Sequence, residues 1–262
     1  SMSKESDNFN YQTHNDWFKK SILDPNIIFF MGECNDGNIG VCRFDFDLLS
    51  NDSQISININ PDFRGRGLGK KLLSKSIEIY KKNHDCNLKA IIKIKNTSSI
   101  RLFSDSGFYI YEKNKEYIKM KYIKKLIYKK VDINDAKVLY QLLKKREFSI
   151  SHKILPSYEI HKLFVASNPY EHWYIFAVKE NVLGSFYIKD DNSIGINLNN
   201  PTKTLIKYLI DYILKNFTPK EEVASFIPNY FYMNISQENK ELINILKDLG
   251  LLPIQITFKI KR

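Results

Sequence analysis

The sequence predicts an α/β (α+β) protein built as two tandem domains. Three observations carry that reading. Residues 54–60 alternate apolar and polar, the period of a half-buried strand, with Ile55, Ile57 and Ile59 on one side. Residues 68–80 then place Leu68, Leu72, Leu73, Ile77 and Tyr80 on one helical face. From residue 126 onward the same succession of strands and helices runs a second time.

In chain order, residues 1–10 are polar and expected to fray, and 13–21 read as a short helix with Thr13 as its cap and Trp17 and Phe18 on its apolar side. Asp24-Pro25-Asn26 stops it. Residues 27–32 and 39–46 read as two strands joined through Asn35-Asp36-Gly37-Asn38, and 47–53 as a polar loop. The alternating strand, a glycine-rich loop and a helix to about residue 82 follow. Residues 88–95 form the next strand, and Asn96 opens a helix carrying Ile100, Leu102 and Phe103 that Gly107 ends. Residues 108–112 and 117–123 form a hairpin around Asn114-Lys115.

The loop between strand and helix is Arg64-Gly65-Arg66-Gly67-Leu68-Gly69. Three glycines allow positive φ and close approach of a ligand. The first amides of the helix lack intrahelical partners, and the helix dipole favours an anion there. With Arg64, Arg66 and Lys70 around it, the loop reads as a phosphate cradle. It is not a Walker loop, because no Gly-Lys-Ser/Thr follows, and its glycine spacing does not fit the dinucleotide fingerprint.

Composition narrows the function. The 262 residues are 43% apolar with 16 Tyr and 17 Phe, enough for one large or two ordinary cores. The formal charge of +11 reads as lysine-rich solvated surface, with steering of anionic ligands as an alternative. No aromatic-interleaved basic run or zinc spacing argues for nucleic acid. Cys34, Cys42 and Cys86 show no paired spacing and read as thiols of a reducing, cytoplasmic setting. Five scattered histidines give no metal site, and no apolar run is long enough to span a membrane. Ser1 ahead of Met2 reads as a cloning remnant, so the natural chain is expected to begin at Met2 or upstream.

The order Arg-x-x-Gly-x-Gly after a strand ending Ile59-Asn60-Pro61-Asp62-Phe63 resembles motif A of the GNAT acyltransferase superfamily. The run from Asn96 through Thr97, Ser98, Ser99 and Phe103 to Gly107-Phe108 resembles its motif B. The resemblance covers residues 11–123. It implies a mixed, mostly antiparallel twisted sheet flanked by helices, with two strands splayed apart for acetyl-coenzyme A. It further implies that backbone around Ile57, Asn58 and Ile59 pairs with the pantetheine arm. Amides of Arg64, Gly65, Arg66, Gly67, Leu68, Gly69 and Lys70 would hold the pyrophosphate, with Asn96, Ser99 and Phe103 contacting the cofactor from the far side.

Many enzymes of the family carry a tyrosine four residues before the motif B glycine as general acid. Here that position is Phe103, and the strand 54–60 carries no carboxylate. Asn58 and Ser56 remain as candidates to hold a water that takes the amine's proton, and Tyr109 or Tyr111 as candidates to reach the sulfur. Arg43 with its neighbours, and His14 with Trp17, look similar to amino-sugar N-acetyltransferases acting on nucleotide-linked sugars, and are the candidate acceptor-binding residues. Asp45 and Asp47 read as solvated loop carboxylates.

In the second copy, 124–262, strands are expected at 126–131, 173–178, 182–188, 195–199 and 254–260, and helices at 134–146, 157–167, 203–217 and from Asn239 to Gly250. Gly184 echoes Gly40. Asn200-Pro201-Thr202-Lys203-Thr204 replaces the cradle without a glycine, so this copy is expected to be degenerate and not to bind coenzyme A. The first copy lacks the opening strand and helix of the second. Either those lie upstream of residue 1, or the second domain covers the exposed edge.

The function expected is transfer of an acetyl group from acetyl-coenzyme A to a primary amine of a small molecule, with an amino-sugar nucleotide as the finer reading and neither nucleic acid nor membrane as partner. A protein N-acetyltransferase and a non-catalytic coenzyme A-binding scaffold are the alternatives.

Overall fold

A computed structural model describes residues 11–148, 154–198 and 200–255, and the chain divides into two compact units, Ser1–Tyr122 and Ile123–Arg262. Helix α1 (Tyr11–Leu23) opens the first. Thr13 lies inside this helix, so it is not the cap expected of it. Asn35 and Asp36 alone reverse the chain between β1 (Ile27–Cys34) and β2 (Gly37–Asp47), which pair from Ile27–Asp45 to Cys34–Gly37. β3 (Asp52–Ile59) follows; Asp52 and Ser53, expected in a polar loop, begin this strand because Asp47 faces Asp52 across the turn. Next come α2 (Leu68–Asn83), β4 (Asn87–Lys93), α3 (Thr97–Asp105), β5 (Phe108–Lys113) and β6 (Tyr117–Tyr122).

The first sheet has the order β1-β2-β3-β4-β6-β5, antiparallel except for the β3–β4 pair. Strand alternation divides its side chains between two faces. Phe30, Phe44, Ile55, Leu88, Ala90 and Met120 face α2 and α3, where they meet Leu73, Ile77, Tyr80, Phe103 and Phe108. Phe44 stacks on Tyr80 with ring centroids 4.1 Å apart, and Tyr80 stacks on His84 at 4.2 Å. Phe29 and Arg43 lie on the other face, against α1.

Cys42 has no exposed surface, and burial pushes its thiol up to about 12; Cys86 is buried too, whereas Cys34 is exposed at the hairpin tip. Among the described residues no helix is long and apolar enough to cross a membrane, and no group of three or more His, Cys, Asp or Glu is placed to hold a metal ion.

The second unit contains β7 (Ile127–Lys130), α4 (Ala136–Lys144), α5 (Tyr158–Ser167), β8 (His172–Val178), β9 (Asn181–Ile188), β10 (Ser193–Leu198), α6 (Lys203–Asn216), β11 (Tyr232–Met233) and α7 (Lys240–Asp248). Its sheet runs β11-β10-β9-β8-β7, with β10–β11 parallel. The helix expected over 134–146 is a short 3-10 turn, Ile133–Asp135, followed by α4, because Asp132 and Asp135 form a capping box that starts the turn separately. Trp173 and Ile175 pack towards α4 and α5. Phe186 and Tyr174 contact Tyr212 on α6. Of the strand expected over 254–260, residues 254 and 255 belong to no regular element, and the remainder lie outside the described residues.

The repeat holds at the level of register. In the first unit a bulge falls between Gly32–Gly40 and Glu33–Asn38; in the second it falls between Phe176–Gly184 and Ala177–Val182. Gly40 faces Ile59 and Gly184 faces Leu198. A Cβ on Gly40 would lie 2.3 Å from the Asn58 carbonyl oxygen, and one on Gly184 would lie 2.5 Å from that of Asn197. Gln54 pairs with Lys89 and Ser193 with Tyr232, and in each copy an asparagine seven residues further on, Asn96 or Asn239, caps a helix.

Because the neighbour at Gly184 is strand backbone, a methyl group there cannot be accommodated by a side-chain shift alone. Gly184→Ala is expected to cost about 1–3 kcal/mol of stability. Urea denaturation showing no loss would mean that the bulge is soft and does not fix the register.

Candidate active site

β3 and β4 pair at only three positions, Asp52–Asn87, Ser53–Leu88 and Gln54–Lys89. Beyond Gln54, β3 stays with β2, while β4 stays with β6. The two strands part and leave a V-shaped notch. Its closed end is clamped: the Asp52 carboxylate takes an ion pair from Lys89 and a 2.8 Å hydrogen bond from Asn87 Nδ2. Burial pushes the Asp52 carboxyl upward, but these hydrogen bonds outweigh it and hold the group below the ordinary range.

The direction of the β3 backbone follows from one bond. Asn60 N–H donates to the Ile39 carbonyl of β2 at 2.9 Å. The two groups of a trans peptide point opposite ways. The Ile59 carbonyl, and by alternation that of Ile57, therefore turns away from β2 and into the V, where no strand pairs with it. An extended, amide-bearing arm can add there as a strand would.

The glycine loop lies at the open end. Asn60 begins it: its side chain accepts from Asp62 N–H and donates to the Asn38 carbonyl at 3.2 Å. Phe63 is buried beneath, and the Arg66 guanidinium lies over its ring at 5.4 Å. Arg64 Nε donates to the Ile59 carbonyl at 2.9 Å. Gly65 and Gly67 have φ of +75° and +73°, and a Cβ on either would meet nothing within 4 Å. Their need for glycine is conformational, and the space beside them is open. Gly67 is the N-cap of α2 and has no side chain to satisfy the first amides. The first turn of α2 carries no acidic residue, and Lys70 is exposed. These donors suit a phosphate group.

Gly69 differs from the expectation. It lies within α2, and a Cβ would fall 3.3 Å from Ile59 Cγ1, so this glycine lets the helix approach the strand and is not a third left-handed turn residue. On the far side of the notch, Asn96 Oδ1 caps α3 by accepting from Ser99 N–H at 3.1 Å and from Ser98 Oγ at 3.0 Å. Phe103 must be moved from the cofactor contacts to the core: it is 2% exposed and packs edge-on against Phe108.

On the opposite face of the sheet, Ser56 of β3 is paired with Arg43 of β2. The Arg43 guanidinium lies 4.7 Å from the Trp17 ring centroid, and His14 is 5.5 Å from Trp17, so the three candidate acceptor residues do come together. Asp45 is a strand residue, not a loop carboxylate, and binds Arg43 through Nε and Nη2 at 2.6 Å. Asp47 is exposed and accepts from Ser50 and Leu49 in the turn. Asn58, two positions further along β3 on the same face, is exposed. Tyr109 and Tyr111 are not brought to the notch. Their strand β5 is the sheet edge, two strands beyond β4 and roughly 10 Å away. Tyr109 is buried, and Tyr111 lies under the Lys121 ammonium at 4.4 Å.

The corresponding place in the second unit is a cavity of about 70 Å³ lined by Ile196, Asn197, Leu198, Arg146, Asn239 and Leu242, among others. Here Thr202 caps α6 with its own hydroxyl, which accepts from Leu205 N–H at 3.2 Å. A side chain thus takes an amide that the first unit leaves free. Tyr187 lies over Gly195, whose Cβ would fall 2.0 Å from the ring, and Tyr170 stacks on Tyr187 at 3.8 Å. Aromatic rings therefore cover the strand where the first unit has Arg43 and Ser56. Asn199 lies outside the described residues.

Residues 2–108 match the sequence model of the Acetyltransferase (GNAT) family. A curated relative, an uncharacterized N-acetyltransferase of Methanocaldococcus jannaschii, is 30% identical over 98 residues, 35% of this chain; the match spans 43% of the relative's own length. Among solved structures, spermidine N-acetyltransferase from Vibrio cholerae in complex with CoA and spermine is 15% identical, covers 45% of this chain and 77% of its own, and has a TM-score of 0.40. A mutant form of the same enzyme gives 15%, 43%, 75% and 0.39.

The clamp predicts a pH dependence. A carboxylate lowered on folding stabilises above its unfolded pKa, about 3.9, and that contribution is lost as pH falls through the folded value. Asp52→Asn is therefore expected to cost about 1.5–3 kcal/mol at pH 7. In urea titrations the difference from wild type should fade below about pH 4. A difference that is constant down to pH 2 would show that the carboxylate's charge has no part in closing the notch.

Proposed function

We propose that this chain, whose residues 2–108 match the Acetyltransferase (GNAT) family, transfers an acetyl group from acetyl-coenzyme A to the primary amine of a small molecule, using the first unit. The observation that carries the reading is a notch whose edge at Ile57 and Ile59, paired with no strand, leads to a helix start with glycine in place of a capping side chain. That combination fits both halves of the cofactor: amides along an arm and charge at a diphosphate.

The chain's own residues divide the work. Backbone groups of Ile57 and Ile59 hold the arm in register. Amides near Gly65 and Gly67 hold the diphosphate, and Arg64, Arg66 and Lys70 supply charge. Asn96 and Ser99 border the notch across from β3. When bound, acetyl-coenzyme A supplies an acyl thioester that an amine can attack directly. Ser56 and Asn58 are the polar side chains that β3 offers beyond the clamp, with no carboxylate among them, so the amine must arrive neutral or lose its proton through water. Positioning is then the chain's main contribution.

For the acceptor, we favour an amino-sugar nucleotide. Trp17 and His14 offer flat rings beside Arg43, a set suited to a ring-bearing ligand, with Asp45 holding the Arg43 guanidinium in place and offsetting part of its charge. The second unit is read as a degenerate copy with a structural role, on the strength of the Thr202 cap and the Tyr170–Tyr187 stack.

Two measurements test this. Calorimetry should give one coenzyme A per chain, and Gly67→Asp, which adds a negative side chain at the amides, should abolish it. Unchanged affinity in a folded Gly67→Asp variant would remove the loop from the site, and two equivalent coenzyme A molecules per chain would overturn the degenerate-copy reading. A panel of amines followed by mass spectrometry should yield acetylated amino-sugar nucleotide; acetylation of other amines alone would retain the reaction and reject this acceptor.

A further inference from the structure

Arg64 is exposed, yet its guanidinium is engaged. Nε donates to the Ile59 carbonyl at 2.9 Å, on the edge of β3 that faces the notch. This oxygen is the strand's last one before the glycine loop, so an amide-bearing arm leading away from a phosphate held there meets it first. The same guanidinium is one residue from Gly65, beside the uncapped helix start. It therefore stands between two competing acceptors, a backbone carbonyl and any anion held by the loop. The Arg66 guanidinium lies instead over the Phe63 ring.

We infer that Arg64 is a specificity-determining residue that reserves the Ile59 carbonyl for donors bringing a diphosphate. The inference rests on reading the notch as the acetyl-coenzyme A site. A donor with a diphosphate offers the guanidinium a charged, bidentate partner in exchange for the carbonyl. A bare pantetheine thioester offers nothing in exchange and must displace a charge-assisted hydrogen bond to use that oxygen. The residue thus favours coenzyme A in two ways, by attracting the diphosphate and by obstructing ligands without one. An ordinary phosphate-binding arginine does only the first.

The two roles separate in a binding experiment. Wild type, Arg64→Ala and Arg64→Met, which keeps the aliphatic stem, are titrated with coenzyme A and with pantetheine, with folding checked by circular dichroism. In both variants coenzyme A is expected to weaken about tenfold and pantetheine to tighten by about threefold or more. Pantetheine binding that is unchanged, weaker or undetected in the folded variants overturns the obstructing role while leaving the cofactor site intact. Absence of coenzyme A binding to wild type overturns the cofactor reading itself, and this inference with it.

Discussion

Two neighbouring strands that start as a hydrogen-bonded pair and separate after three residues are the constraint on which the first unit depends. Backbone groups in a sheet are normally paired, and an unpaired edge in the middle of one needs a reason to persist. Here the reason is divided between the two ends. Asp52, Lys89 and Asn87 fasten the strands where they meet. Further on, each strand keeps its other neighbour, β2 for β3 and β6 for β4, so neither can turn to close the opening. The buried face beneath, from Ile55 to Met120, is covered by α2 and α3, so the V opens without exposing the core.

Much of this was legible in the sequence because it rests on local patterns. Alternation marked β3, the apolar stripe marked α2, and Asn96 and Gly107 marked the ends of α3. What escaped depends on contacts distant in the chain. Nothing near Asp52 indicates Lys89, which only the sheet brings to it. Arg43 and Asp45 share one face of a strand expected to run through both, yet that spacing alone does not show that they bind each other. Gly69 looked like its two neighbours, yet its small size serves packing against Ile59. Phe103 matched a motif position, and its destination was decided by Phe108 and the core.

The two units share a register but differ in the groups placed on it. The bulge, the close glycine and the capping asparagine recur, so the backbone plan is retained. Beyond the different opening elements, a few groups at the start of the long helix and on the strand before it also differ. Gly67 leaves the helix start open, whereas Thr202 closes its own. Ser56 lies beside Arg43, whereas Gly195 admits the Tyr187 ring. Capping residues typically add about 1 kcal/mol to a helix. The second unit keeps that stabilisation, and at the start of α2 no side chain supplies it.

The distribution of thiols has a practical consequence. Cys42 is sealed in the core and Cys86 is buried, which leaves Cys34 as the accessible sulfur. For alkylating reagents the native chain therefore behaves as a single-cysteine protein. Cys34 pairs with Gly37, whose Cβ position lies 3.8 Å from the Phe63 ring beneath the glycine loop. A fluorophore attached there would sit near the Phe63 ring and the glycine loop, with no residue of the notch replaced.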